Sequence, residues 1–504
     1  MRSAGILLPV FSLPGPYGIG TLSESAYRFV DFLRDCHQKY WQILPLGPTG
    51  YGDSPYQTFS TFAGNPYFIS LETLIEEGLL TKQECAPLNK KVSPGEIDYY
   101  RLYNTRFKIL KKAYLRSKPE KDAEFLSFAK ENADWLDDYA LFMALKEAFG
   151  GVSFKEWPEE LRIRKAAAIK KAEKKYKDDI GFQKFLQYKF YSQWFKLKKY
   201  ANENGIEMIG DIPIYVSPDS SDLWSHPELF QVGKGGTLKA VAGCPPDGFS
   251  ADGQLWGNPL YDWPKHKETG YAWWLRRMEK CLELFDVVRI DHFRGFDQYY
   301  SIPAENKTAR GGHWEDGPGM ALFDAMKKAF GKPRIIAEDL GYLTPSVRRL
   351  VKKTGFPNMK VLEFAFDSKD VTGECEYLPH NYGSNCVVYT GTHDNETLAG
   401  WIRSIKPAER RMLFRYLDIH TRDKRQVVFR IIRLALSSVA DYCVIPLQDY
   451  LCLDNTARVN YPSTLGGNWV WRAEKKDFSE DLKGDIRMLT DMFGRYHPEK
   501  RKRR

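Results

Sequence analysis

Short apolar runs rich in valine and isoleucine recur along the chain, and each breaks off into acidic or other polar residues. Residues 207–210 run into Asp211, 287–290 into Asp291 and His292, and 334–337 into Glu338 and Asp339. Residues 386–389 lead to Thr392, His393 and Asp394, 443–446 to Gln448 and Asp449, and 41–44 to a turn rich in proline and glycine. A half-exposed strand alternates apolar and polar positions, whereas a strand covered on both faces reads as an unbroken apolar run. The runs therefore predict buried parallel strands. Helical spacing precedes several of them: Phe185, Leu186, Phe190, Trp194 and Leu197 in one stretch, Leu322, Phe323, Met326 and Phe330 in another. Strands alternating with helices, with polar side chains gathered at the strands' carboxyl ends, predict a (β/α)8 TIM barrel with its active site on that face. A doubly wound sheet also binds ligands at strand ends, but no glycine-rich phosphate turn follows the first strand.

The strand pattern is absent between Tyr67 and about residue 180, where charged helical patterns stand instead, one of them holding Trp135, Tyr139, Phe142 and Met143. We read residues 1–504 as one catalytic barrel with a helical insertion over about 68–185. Gly233, Gly235, Gly236, Gly243, Gly248, Gly253 and Gly257, with Pro245 and Pro246, predict a long loop over 231–259. Long loops in compact enzymes are often lids, so the loop-rich insertion over about 225–262 is a candidate lid over the active site.

Composition narrows the class. A chain of 504 residues that is 43% hydrophobic can bury a large core. The leading apolar stretch is broken by Pro9 and Pro14 and lacks a small-residue cleavage site, which argues against a signal peptide. No run of about 18 apolar residues suggests a membrane span. Eight scattered cysteines without a CxxC pair fit reduced thiols in a cytoplasmic protein. The net charge is +9, but five positive charges sit in residues 500–504, which read as a solvated tail. A second basic run, 162–177, carries Ala166, Ala167, Ala168 and Ile169 at helical spacing and reads as an exposed helix face. Neither segment makes a nucleic-acid partner the expected one.

The strand ends supply the chemistry. Cleaving a glycosidic bond takes one carboxyl group to protonate the leaving oxygen and another to attack or stabilise the sugar carbon. Asp291 lies two residues after Arg289, so both point to one side of their strand, and the guanidinium favours an ionised, nucleophilic carboxylate. Glu338, on another strand, sits where neighbouring carboxylates favour the protonated form a general acid needs. Asp394, between His393 and Asn395, can grip sugar hydroxyls. Asp211 leaves substrate contact and structural pairing both open. Metal catalysis lacks support, because no HExxH or His-x-His spacing accompanies His292 and His393. A serine nucleophile lacks its Gly-x-Ser-x-Gly setting, and Cys244 has no evident histidine partner. Aromatic residues reach 14% of the chain, and Tyr51, Tyr56, Phe59, Phe249 and Trp256 fall in loops, where flat rings pack against sugar faces.

These segments together resemble the amylomaltase family of 4-α-glucanotransferases, related to the α-amylase superfamily. The likeness spans nearly the whole chain: GILLP (5–9), YGIG (17–20), WQILPLGPTGYGDSPYQ (41–57), AGNPY (63–67), GDIPIYV (210–216), PPD (245–247), GQLWGNPLY (253–261), RIDHFRG (289–295), AEDLG (337–341), GTHDN (391–395), RVN (458–460) and GNW (467–469). The resemblance implies a (β/α)8 barrel with insertions and no separate C-terminal β-domain, acting without metal or other cofactor on α-1,4-glucans and malto-oligosaccharides. It implies Asp291 as nucleophile, Glu338 as general acid and base, and Asp394 as the acid that stabilises the transition state. It further implies that Asp211, Arg289, His292 and His393 line the subsite beside the scissile bond. Ser54, Tyr56 and Asn460 would hold donor glucose units, and Gln254 and Trp256 on the lid would contact the glucan. Retention through a covalent glucosyl-enzyme follows, with the Asp291 and Glu338 carboxyl groups expected about 5–5.5 Å apart. A hydrolase with the same acids is the nearest alternative, and a catalytically dead glucan-binding protein is one of a different class. Monomer and homodimer both stay open.

Overall fold

Twelve strands are present among the described residues: β1 (Ser3–Leu7), β2 (Tyr40–Gln42), β3 (Glu207–Pro213), β4 (Ala240–Cys244), β5 (Gln254–Pro259), β6 (Val287–Asp291), β7 (Gln298–Pro303), β8 (His313–Asp316), β9 (Ile335–Ala337), β10 (Asn358–Val361), β11 (Cys386–Tyr389) and β12 (Tyr442–Pro446). The computed structural model describes residues 1–89, 95–246, 251–341, 343–370 and 372–498. Asp247, Gly248, Phe249 and the basic tail 500–504, all singled out above, lie outside the described residues.

Eight of the strands form one sheet in the order β10-β11-β12-β1-β2-β3-β6-β9, and every pair in it is parallel. Its two ends meet where the Ala337 N–H donates to the Pro357 carbonyl at 2.9 Å, closing a (β/α)8 barrel. The expected apolar runs are buried for the expected reason. Leu7, Tyr40, Ile209, Val287, Ile336, Met359, Val387 and Val444, one from each barrel strand, pack together inside the barrel. Their neighbours Ile6, Trp41, Met208, Val288, Ile335, Val388 and Cys443 face the helices. Fully burying such a side chain contributes roughly 1.5–3 kcal/mol.

Because side chains alternate along a strand, residues two steps beyond the inner layer also point inward. Gln42, Asp211, Arg289 and Tyr389 occupy those positions, which makes the layer above the apolar plug polar. Gly210, on the outer face of β3, is small for a packing reason: a Cβ there would lie 2.2 Å from ring atoms of Phe285.

Between β2 and β3 the described residues hold no strand, and the chain runs through helices that include Tyr99–Ser117, Ala133–Ala148, Ala166–Lys175 and Lys177–Glu203. The last of these brings Phe185, Trp194 and Leu197 into the core and returns the chain to β3. It also fixes the loop after β2. The Gln187 amide accepts from the Gly64 N–H at 2.7 Å and donates to the Gly64 carbonyl at 2.9 Å. Gln193 accepts in the same way from the Ser70 N–H at 2.7 Å. In the basic helix Ala166–Lys175 only Ala172 is buried, which matches the exposed face read from the sequence.

The glycine-rich stretch expected as a loop contains regular structure. β4 and β5 lie in it and pair antiparallel, and with β7 and β8 they form a second sheet in the order β5-β4-β7-β8. Glycines masked this because they are placed for contact: a Cβ on Gly243 would lie 2.2 Å from the Gln254 carbonyl oxygen. No described helix is long and apolar enough to cross a membrane.

Candidate active site

Strand register brings the acidic residues together. Asp211 pairs with Arg289 across β3 and β6, and Pro213 with Asp291. Ile290 pairs with Ala337 across β6 and β9, so Asp291 and Glu338 emerge side by side from neighbouring strands. The Glu338 N–H donates to the Ile290 carbonyl at 3.1 Å and continues that pairing past the strand end.

Arg289 is the pivot of the cluster. Its Nη1 donates to both Asp211 oxygens, at 2.7 and 2.6 Å, and its Nη2 lies 3.1 Å from Asp291 Oδ1. The Tyr56 hydroxyl donates to Asp211 Oδ2 at 2.9 Å. Asp211 is wholly buried with both oxygens engaged, so it reaches the cleft through Arg289 and Tyr56. The structural pairing left open by the sequence is therefore present.

Asp291 and Glu338 stand half-buried side by side at the strand ends but differ in what surrounds them. Burial pushes the Asp291 carboxyl up to about 6, against the pull of Arg289, with Asp211 and Asp394 adding to the rise. The guanidinium restrains the rise without reversing it, the direction of pull read from the two-residue spacing of Arg289 and Asp291. Burial and the Asp291 charge push Glu338 further, to about 8, against Arg289 and two backbone donors. Those donors are the His292 N–H, 2.6 Å from Oε2, and the Leu340 N–H, 2.8 Å from Oε1. His292 offers its N–H there because its backbone is left-handed, with φ of 54°.

Asp394 behaves differently. Burial alone would raise it, but His393 and a hydrogen bond from Asn460 outweigh burial and hold it well below the usual carboxylate range. His393 Nε2 is 3.3 Å from Oδ2, and Asn460 Nδ2 donates to Oδ1 at 2.7 Å. The cleft therefore holds one acid that stays ionised and two whose affinities for a proton are spread across neutral pH.

Aromatic rings line both sides. Tyr56 stacks on His393 with ring centres 5.2 Å apart, and Trp469 lies 6.1 Å beyond His393. Trp256, on β5, meets His292 edge to face at 4.7 Å, and its Nε1 donates to Gln254 Oε1 at 3.0 Å. Burial and Arg294 lower the His292 imidazole to about 3, so it is neutral. Its buried Nε2 has no hydrogen-bond partner among the described residues. The remaining expected residue, Ser54, accepts the Tyr56 N–H at 3.3 Å and shapes the turn that presents that ring. Among the described residues no group of three His, Cys, Asp or Glu is placed to hold a metal ion.

The sequence did not single out Glu363 or Gln57. Glu363 follows β10 and is half-buried with its Oε1 beside Gly391, held far above its ordinary range by burial and by Asp449 and Glu396. Gln57 donates to Asn258 Oδ1 at 3.2 Å and ties the turn after β2 to β5.

Comparison with known proteins bears on the family and the fold. The family model described as 4-alpha-glucanotransferase matches residues 8–477. A 4-alpha-glucanotransferase from Clostridium butyricum is 48% identical over 489 residues, covering 96% of this chain and 99% of that protein. One from Thermus thermophilus is 45% identical over 499 residues, covering 97% and 98%. Among solved structures, an amylomaltase from Streptococcus agalactiae in complex with acarbose superposes with a TM-score of 0.95 at 40% identity, covering 99% of this chain and all of that one.

Proposed function

The chain is a member of the 4-alpha-glucanotransferase family and carries its activity, and we propose that it works by double displacement with Asp291 as nucleophile, Glu338 as general acid and base, and Asp394 as the third acid. The observation that carries this is the contrast between the two carboxyl groups at the ends of β6 and β9. At neutral pH Asp291 is mostly ionised and beside Arg289, while Glu338 is mostly protonated.

In the first step an Asp291 oxygen attacks the anomeric carbon of a glucan bound across the cleft, and the bond from that carbon to the next unit's 4-oxygen breaks. Glu338 gives its proton to the departing oxygen, which leaves a covalent glycosyl-enzyme and a Glu338 carboxylate. In the second step the 4-hydroxyl of an acceptor glucan loses its proton to Glu338 and attacks the same carbon, releasing Asp291. Two inversions give net retention. Asp394, kept ionised, stabilises the positive charge that develops on the sugar ring and holds its hydroxyls.

Sugar rather than water completes the second step if the segment bearing Trp256 and Gln254 excludes water from the cleft, since exclusion of water favours an acceptor that brings its own binding surface. Support for this comes from Trp256, which meets His292 edge to face and donates to Gln254. That the Streptococcus agalactiae relative was solved in complex with acarbose supports an oligosaccharide ligand here. Tyr56 and Asn460 hold the donor's sugar units, and Ser54 sets the turn beneath Tyr56.

Incubation with maltotriose tests the reading. Free glucose and longer oligomers should appear while total reducing ends stay constant; reducing ends that climb in step with cleavage would make the protein a hydrolase.

A further inference from the structure

The segment after β12 grips the segment after β11. Asp449 accepts the Thr390 hydroxyl at 2.6 Å and the Leu398 N–H at 2.8 Å. Asn455 Oδ1 accepts the Thr397 N–H at 3.2 Å, and Asn455 Nδ2 donates to Glu396 at 2.5 Å. Gly400 makes room for this, since a Cβ there would lie 2.0 Å from Asn455 Oδ1. These contacts anchor the base of the loop that carries His393 and Asp394.

At the end of the gripping segment, Arg458 reaches both partners of one site hydrogen bond. Its Nη2 donates to the main-chain carbonyl of Asp394 at 2.7 Å, and its Nε to the main-chain carbonyl of Asn460 at 2.8 Å. Between those two residues runs the bond from Asn460 Nδ2 to Asp394 Oδ1 at 2.7 Å. The guanidinium plane is itself held, 4.5 Å from the centre of the Tyr461 ring. A planar fork carries its donors on separate atoms at fixed angles, so Nε and Nη2 each meet one carbonyl; a lysine ammonium has three donors, but all on one atom at the end of a flexible stem, and does not reproduce that geometry.

We propose that Arg458 is a positioning residue for glucan transfer, clamping the main chains of Asp394 and Asn460 so that the Asp394 carboxylate is aimed at the reacting sugar. The inference rests on the reading of Asp394 as the ionised third acid. Arg458 acts through that residue and does not itself touch the substrate. An interaction that aims a group at developing charge matters more in the transition state than in the bound ground state, so its loss falls on kcat.

Arg458→Lys is the decisive variant, because it keeps a positive charge near Glu363 and removes the fork together with its packing on Tyr461. In maltotriose disproportionation it should lose on the order of 10- to 100-fold in kcat, with KM changed by less than about threefold. Thermal unfolding should stay near that of the unaltered protein. Arg458→Ala should lose more, and added guanidinium at non-denaturing concentration should restore part of the lost kcat. A kcat of Arg458→Lys equal to that of the unaltered protein, or a loss confined to KM, overturns the proposal. Asp394→Asn, measured alongside, separates the two claims. If it abolishes turnover while Arg458→Lys is fully active, only the positioning role fails; if Asp394→Asn is itself fully active, the reading of Asp394 fails and takes the inference with it.

Discussion

Arg289 and Asp211 form a bidentate ion pair across β3 and β6, with Nη1 at 2.7 and 2.6 Å from the two carboxylate oxygens and neither side chain more than 3% exposed. Removing one member of such a pair leaves a charge buried without its partner, which costs about 3–5 kcal/mol. Asp211→Ala should therefore lower the unfolding free energy in urea by about that amount. A loss under about 1 kcal/mol would show that the pair is replaceable by its surroundings. The same variant frees Arg289 to swing fully onto Asp291, so any surviving activity should be far below normal.

On the proposed mechanism the two carboxyl groups set opposite limits on pH: it requires Asp291 without its proton and Glu338 with it. As pH rises through about 6 Asp291 ionises and the rate climbs; as pH passes about 8 Glu338 loses its proton and the rate falls. Because the groups interact, the two limbs report the pair as a unit. A kcat/KM profile for maltotriose should be bell-shaped with a maximum near neutrality. In Glu338→Gln the residual rate should lose its alkaline limb, and a limb that survives would assign it to another group.

On the proposed reading, exclusion of water by the segment bearing Trp256 separates transfer from hydrolysis. Trp256→Ala removes the ring that meets His292 edge to face. The share of turnovers that end in a new reducing end should rise, by about tenfold if water exclusion is the main function of the ring. Simultaneous assay of glucose and reducing ends measures the ratio. An unchanged ratio with a higher KM would mean that Trp256 binds glucan without excluding water.

The sequence announced those parts of the fold that are buried on both sides. Six barrel strands were legible as apolar runs: in five of them Ile209, Val287, Ile336, Val387 and Val444 point inward while their neighbours pack on helices, and in the sixth, β2, Trp41 packs on the helices. β10 was not, because Asn358 and Lys360 interrupt its apolar pattern; Lys360 is stabilised by an ion pair with Glu376 at 2.7 Å. The small antiparallel sheet was hidden by glycines that permit close backbone contact and read as loop. Asp291, Glu338 and Asp394 were legible because strand ends collect polar residues, and register then made Asp291 and Glu338 neighbours. The link from Tyr56 to Asp211 and the clamp by Arg458 depend on side chains that meet across 155 and 64 residues of sequence, distances over which no local pattern carries information.

The most direct test of the mechanism is to trap its intermediate. The protein, unaltered or as Glu338→Gln, would be treated with an activated 5-fluoro-α-glucosyl or maltosyl fluoride, digested, and its peptides weighed by mass spectrometry. The mechanism predicts one added glycosyl group on the peptide containing Asp291, lost again from the unaltered protein when an acceptor glucan is supplied and retained by Glu338→Gln, which lacks the base for the second step. A label on the Asp394 peptide instead, or steady turnover with no labelled peptide, would contradict it.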